Sequence, residues 1–87
     1  MDSYRIAWKQ SAIKELKYLT KEVVVRIVRA VQQLTENPYP AGVKKLVGSE
    51  RTYRIREGSY RVIFTVAPSS LVIEIIRVGH RKDVYDR

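Results

Sequence analysis

Six side chains in the second half of the chain have types and spacing that suit chemistry: Arg54, Arg56, Arg61, His80, Arg81 and Tyr85. Three of the arginines fall in two β-rich runs, Thr52 to Arg56 and Tyr60 to Val66, separated by Glu57-Gly58-Ser59, so strand alternation decides where they point. A two-residue turn at Gly58-Ser59 places Arg56 opposite Arg61, Ile55 opposite Val62 and Arg54 opposite Ile63. Three guanidinium groups then share one side of two neighbouring strands. Like charges opposed across a ladder cost on the order of tenths of a kcal/mol at an exposed site. A phosphate set between the two forks removes that cost, because it accepts charge-assisted and often bidentate hydrogen bonds from them. The other reading of the cluster is a solvated sheet face whose charges prevent edge-to-edge pairing. Charge chosen for solubility alone is usually mixed in sign. Here Glu74 is the single acid expected on this face, and Lys44, Lys45 and Arg51 lead into it with the same sign.

The run from Arg77 to Tyr85 follows the last β-rich segment, and Gly79 can make a bend there that other residues resist. On this reading His80, Arg81 and Tyr85 curl back beside the arginine face. The set suits RNA cleavage without metal, in which a 2′-hydroxyl attacks the adjacent phosphorus and the site must move protons and hold an anionic phosphorane. Arginines stabilise that anion, and a histidine or tyrosine transfers protons or stacks a base. Against this stand the ordinary roles of a lone histidine as a structural group and a near-terminal tyrosine as a packing plug. With one histidine, two imidazoles cannot act as paired acid and base within one chain. The absence of cysteine excludes a disulfide framework, a thiolate zinc site and a cysteine nucleophile, so no metal or cofactor is expected. No phosphate-cradling glycine loop, paired-carboxylate site or Ser-His-Asp arrangement is present either.

The elements that must position these groups fit a single domain, 1–87. The hydrophobic fraction of 45% is enough for one compact core, and a net charge of +8 attracts polyanions, nucleic acid or an acidic protein. No apolar stretch approaches the roughly 20 residues of a membrane span, and Met1-Asp2-Ser3-Tyr4 opens no signal peptide, so the expected setting is the cytoplasm, away from membranes. Tyr4 to Trp8 alternates large side chains and reads as a strand. Ser11 is a plausible N-cap for a helix over Ala12 to Leu19, and Thr20 caps a second. In that second helix Val24, Ile27, Val28, Val31 and Leu34 form one stripe, which runs until Asn37-Pro38 stops it.

Leu71 to Val78 is the last β-rich run, and a second hairpin closing around Ala67 to Ser70 sets Val66 opposite Leu71. One sheet face then carries Tyr53, Ile55, Tyr60, Val62, Phe64, Val66, Leu71, Ile73 and Ile75, which suits the helices. The other carries Arg54, Arg56, Arg61, Ile63, Thr65, Val72, Glu74 and Ile76. The expected fold is α+β, in the order β-α-α-β-β-β, with an N-terminal helical hairpin packed on one face of an antiparallel sheet.

Tyr53-Arg54-Ile55-Arg56, then Gly58-Ser59-Tyr60-Arg61, then Gly79-His80-Arg81 to Tyr85, with Lys44-Lys45-Leu46-Val47-Gly48 ahead of them, resemble the RelE branch of the RelE/ParE toxin superfamily over nearly the whole chain. The resemblance implies the toxin of a type II toxin-antitoxin pair, an mRNA interferase that enters the ribosomal A site, cleaves the messenger there without metal and so inhibits translation. It also implies a cognate acidic antitoxin of RelB type, with no homo-oligomer of the free toxin. By position, the family's basic strand motif falls on Arg54, Arg56 and Arg61, and its C-terminal pair on Arg81 and Tyr85. The best-known members carry lysines where this chain has Arg54 and Arg56, and an arginine, unlike a lysine, cannot lose its proton. Arg54, Arg56, Arg61 and Arg81 are therefore assigned to phosphate binding and transition-state charge, and His80 or Tyr85 to proton transfer. Lys9, Lys14, Lys17, Lys44, Lys45 and Arg51 are expected to steer the protein onto ribosomal RNA. Two rivals use the same fold: a ParE-like poison of DNA gyrase, which needs no phosphate site, and a non-catalytic RNA-binding module.

Overall fold

The computed structural model describes residues 3–84. Strand β1 (Arg5–Trp8) leads into helices α1 (Gln10–Leu16) and α2 (Lys21–Gln33), followed by β2 (Lys44–Lys45), β3 (Thr52–Glu57), β4 (Tyr60–Ala67) and β5 (Val72–His80). The five strands form one sheet in the order β1-β5-β4-β3-β2. The three long strands make the expected antiparallel meander. The sheet as a whole is mixed, because β1 lies parallel to β5, with Arg5 opposite Val72 and Trp8 opposite Ile75. Parallel neighbours need a long crossover, and here the helical hairpin and the rest of the sheet provide it. The two residues of β2, Lys44 opposite Arg54 and Lys45 opposite Tyr53, are too few for alternation to reveal as a strand.

Both helices start and stop close to their signals. α1 begins after Lys9, which makes no side-chain cap, and the expected cap Ser11 instead donates its hydroxyl to the Ile76 carbonyl at 3.3 Å. The helix ends at Leu16, three residues early, and passes through a tighter turn in which Leu19 N–H bonds to Leu16 O at 3.1 Å. Thr20 caps α2 as expected, its hydroxyl accepting from Val23 N–H at 3.3 Å. Among the stripe residues Ile27, Val31 and Leu34 are buried against the sheet and Val24 and Val28 half-buried. Beneath them Phe64, Ile73, Ile75, Val62 and Val66 form the core, with Tyr4, Ile6 and Trp8 of the first strand packed at its side. Among the described residues no helix is long and apolar enough to cross a membrane.

The first hairpin pairs as its turn dictates: Arg56 opposes Arg61, and Gly58 takes φ +60°, the first position of a type II′ turn. The second departs twice from expectation. Ala67 pairs with Val72, so the four-residue loop slides from 67–70 to 68–71, the register shifts by two, and Val66 faces Ile73 instead of Leu71. Two successive turns fill it, Ser70 N–H to Ala67 O and Leu71 N–H to Pro68 O, each at 3.3 Å. They leave Leu71 at φ +55°, outside the core, where its carbonyl accepts Arg5 N–H at 2.8 Å. A shift of two keeps every side chain on its expected face. The second departure does not. Phe64 opposes Ile75 whereas Ile63 opposes Arg77, so a β-bulge sets Ile76 and Arg77 against one partner. One extra residue inverts all later alternation, and Val78 turns into the main core.

Candidate nucleic-acid interface

On the face away from the helices the pairing sets basic residues side by side in two rows. Lys44, Arg54 and Ile63 form one row, and Arg56, Arg61 and Gly79 the next. The row beyond, towards the other end of the strands, is Thr52, Thr65 and Glu74, so the positive charge gathers at the end nearer the Gly58 turn. Arg54 is only 6% exposed, Arg61 is half-buried and Arg56 is exposed. A second, smaller apolar cluster of Leu46, Ile63 and Val84, with Ile76 beside it, floors this face. Arg61 Nη1 donates to the Val84 carbonyl at 2.9 Å. Arg81 is exposed, and its backbone N–H donates to Ser59 O at 2.8 Å, which fixes it next to the turn joining β3 and β4. Arg56 and Arg81 stand exposed beside the half-buried Arg61, above a dry floor where a charge-assisted bond is stronger than in open water, while Arg54 lies beneath the surface.

His80 does not join them. The bulge puts it opposite Tyr60 on the helix side, where the two rings meet edge to face at 5.5 Å. Its Nδ1 accepts the Lys82 backbone N–H at 3.2 Å, so the ring proton of the neutral form sits on Nε2. Around it lies a cavity of about 260 Å³ whose wall includes Glu15, Tyr18, Tyr60 and Asp83. The expectation that His80 curls back beside the arginines is therefore corrected, and the cause is the extra residue at Ile76 and Arg77. Tyr85 lies outside the described residues.

The remaining basic residues divide between regions. Lys44 belongs to the arginine face through its pairing with Arg54, whereas Lys45 pairs with Tyr53 in the alternate register. Lys9, Lys14 and Lys17 are exposed along α1, in the helical layer, and Arg51 is exposed just before β3. Among the described residues no group of three or more His, Cys, Asp or Glu could hold a metal ion.

Sequence reasoning missed Glu15, which positions the bulge. β1 stops opposite Ile75, so among the described residues the outer edge of β5 from Ile76 onward has no strand to pair with. α1 takes its place: Lys9 N–H bonds to Ile75 O at 2.9 Å and Ser11 Oγ to Ile76 O at 3.3 Å. One helical turn later, Glu15 Oε1 accepts Val78 N–H at 2.8 Å, and its Oε2 accepts from Arg77 Nη2 at 3.0 Å and Nε at 3.3 Å. Unpaired backbone at a sheet edge must find partners, and these three residues supply them. The signal was the four-residue spacing of Ser11 and Glu15, two hydrogen-bonding side chains on one side of a short helix.

A helical hairpin over one face of a mixed five-stranded sheet is the arrangement this chain shares with RelE toxins of known structure. The archaeal RelE-RelB complex from Pyrococcus horikoshii OT3 contains a chain 31% identical to this one, with a TM-score of 0.80 over 93% of this chain and 98% of that one. The RelBE2 toxin-antitoxin complex from Mycobacterium tuberculosis contains another, at 25% identity and a TM-score of 0.81, covering 93% and 94% of the two chains. Toxin RelE3 of Methanocaldococcus jannaschii is 28% identical over 86 residues, 94% of this chain and 96% of its own. Residues 6–85 match the family described as the ParE toxin of type II toxin-antitoxin system, parDE, and the chain belongs to that family.

Proposed function

We propose that this RelE-like toxin is an endoribonuclease that cleaves messenger RNA on the ribosome without metal, the arginine face holding the scissile phosphate. The observation that supports this most is the juxtaposition of Arg54, Arg56 and Arg61 at neighbouring register positions, with Arg81 anchored beside their turn. In the proposed reaction the 2′-hydroxyl attacks the adjacent phosphorus, the bond from phosphorus to the 5′ oxygen breaks, and a cyclic phosphate and a 5′-hydroxyl result. The arginines bind the phosphate and stabilise the charge of the phosphorane, a role that permanently protonated forks suit. Proton transfer falls to Tyr85, which directly follows the Val84 whose carbonyl holds Arg61. His80 serves the tail instead: its ring and its carbonyl accept from Lys82, Asp83 and Val84. Lys44 extends the phosphate-binding face, and Lys9, Lys14, Lys17, Lys45 and Arg51 steer the protein to ribosomal RNA in the cytoplasm. A partner of RelB type, an acidic antitoxin with an amphipathic segment, matches a basic face floored by Leu46, Ile63, Ile76 and Val84.

Primer extension on translated and untranslated copies of one transcript tests the reading. Cleavage is expected only on the translated copy, and the Arg61→Ala, Arg81→Ala pair, folded by circular dichroism, is expected to lose roughly a hundredfold or more in rate. A folded double variant that cuts like the parent would remove the arginines from the chemistry. The ParE description of the matched family favours one alternative, gyrase poisoning. Intact messages together with accumulating DNA breaks would establish it in place of the nuclease.

A further inference from the structure

Gly79 stands opposite Arg61 across β4 and β5, and what occupies the space above it bears on the arginine. A methyl group at Gly79 would lie 2.8 Å from Val84 Cγ2, closer than real side-chain atoms approach. The tail reaches this point by a sharp reversal, in which the His80 carbonyl accepts Asp83 N–H at 2.8 Å and Val84 N–H at 3.1 Å. Val84 is thereby set down on Gly79 and against Ile63 and Leu46, and is 1% exposed although the three residues before it are all exposed. From that seat its carbonyl accepts Arg61 Nη1 at 2.9 Å. An arginine on a sheet face has many rotamers open to it, and a bond at one edge of the planar fork limits the directions the other edge can take.

We propose that Val84 is a positioning residue for the arginine site: seated on Gly79, it holds its own carbonyl against Arg61 and so aims the guanidinium at the substrate phosphate. The consequence for catalysis rests on the nuclease reading above, whereas the consequence for Arg61 does not. Val84 touches no substrate in this scheme. Its side chain fills the floor while its backbone orients the cation, and the absence of a side chain at residue 79 is what lets the tail come close enough.

Two measurements separate these claims. Nitrogen relaxation of the Arg61 Nε–H group in the folded parent is expected to report a rigid side chain. Val84→Ala and Gly79→Ala, each confirmed folded by its amide spectrum, should make that group more mobile than in the parent, and Val84→Ile should keep the parent's rigidity. On programmed ribosomes Val84→Ala should slow single-turnover cleavage about tenfold at saturation while the half-saturating concentration stays within about twofold, with Val84→Ile again restoring the rate. An Arg61 group as rigid in both Ala variants as in the parent overturns the proposal, and so does a mobile Arg61 that cleaves at the parent's rate. A parent that cleaves no translated message, yet whose Arg61 loosens in the variants, overturns the nuclease reading and leaves the positioning intact.

Discussion

The two faces of the sheet handle charge in opposite ways. Where the helices meet the sheet, two cations pair with carboxylates: Arg26 of α2 lies 3.3 Å from Glu57, and Arg77, at the bulge on the outer edge of β5, lies 3.0 Å from Glu15 of α1. These pairs tie α2 to the end of β3 and α1 to the bulge of β5. On the far face the cross-strand neighbour of Arg56 is another arginine, and those of Arg54 are Lys44 and Ile63. The first pattern joins elements to one another; the second sets basic residues at neighbouring register positions of adjoining strands.

The largest effect that tests this contrast concerns the cores. Phe64 is fully buried on the helix side, so Phe64→Ala should cost about 3–5 kcal/mol, a large part of what a domain this small possesses. Ile63→Ala on the arginine side should cost nearer about 2 kcal/mol, because its cluster is small and its surroundings can collapse. Urea unfolding of the two variants measures both, and equal losses would break the distinction between a main core and a floor.

Glu15→Ala ranks next, at about 1–2 kcal/mol, because it leaves the Val78 N–H at a sheet edge without its acceptor. Hydrogen exchange at Val78 should accelerate with it. An unchanged rate there would show that α1 does not stand in for the missing strand. The smallest effect is the most telling about the far face. Arg56→Thr should raise stability by a few tenths of a kcal/mol, since it removes a like-charge pair. The same variant should bind single-stranded RNA less tightly, with a salt dependence shallower by about 0.7 in log–log slope. Stability and binding that fall together would mean Arg56 is a structural residue.

The first hairpin was legible in the sequence because Gly58-Ser59 sits between two alternating runs and permits one register, and the arginine cluster follows from that register alone. The second hairpin was not. Ala67-Pro68-Ser69-Ser70-Leu71 accommodates more than one register, and only a conformation with Leu71 at positive φ selects the one adopted. The bulge left no mark either, since Ile75, Ile76 and Val78 satisfy strand preferences on whichever face they land. For the candidate site the outcome was uneven. Arg54, Arg56 and Arg61 came together as their alternation required, whereas His80 was carried to the opposite side.

What the sequence determined by itself was the helical hairpin, the Gly58 turn and the side-by-side arginines, because each depends on neighbours a few residues apart along the chain. Only the tertiary structure decided that β1 runs parallel to β5, that Val84 closes over Gly79, and that His80 faces the helices. Strand alternation is a local rule of period two, and one inserted residue inverts it. Here the insertion is held by Glu15 of α1, 62 residues from the arginine it bonds, a contact that no window of neighbouring residues contains.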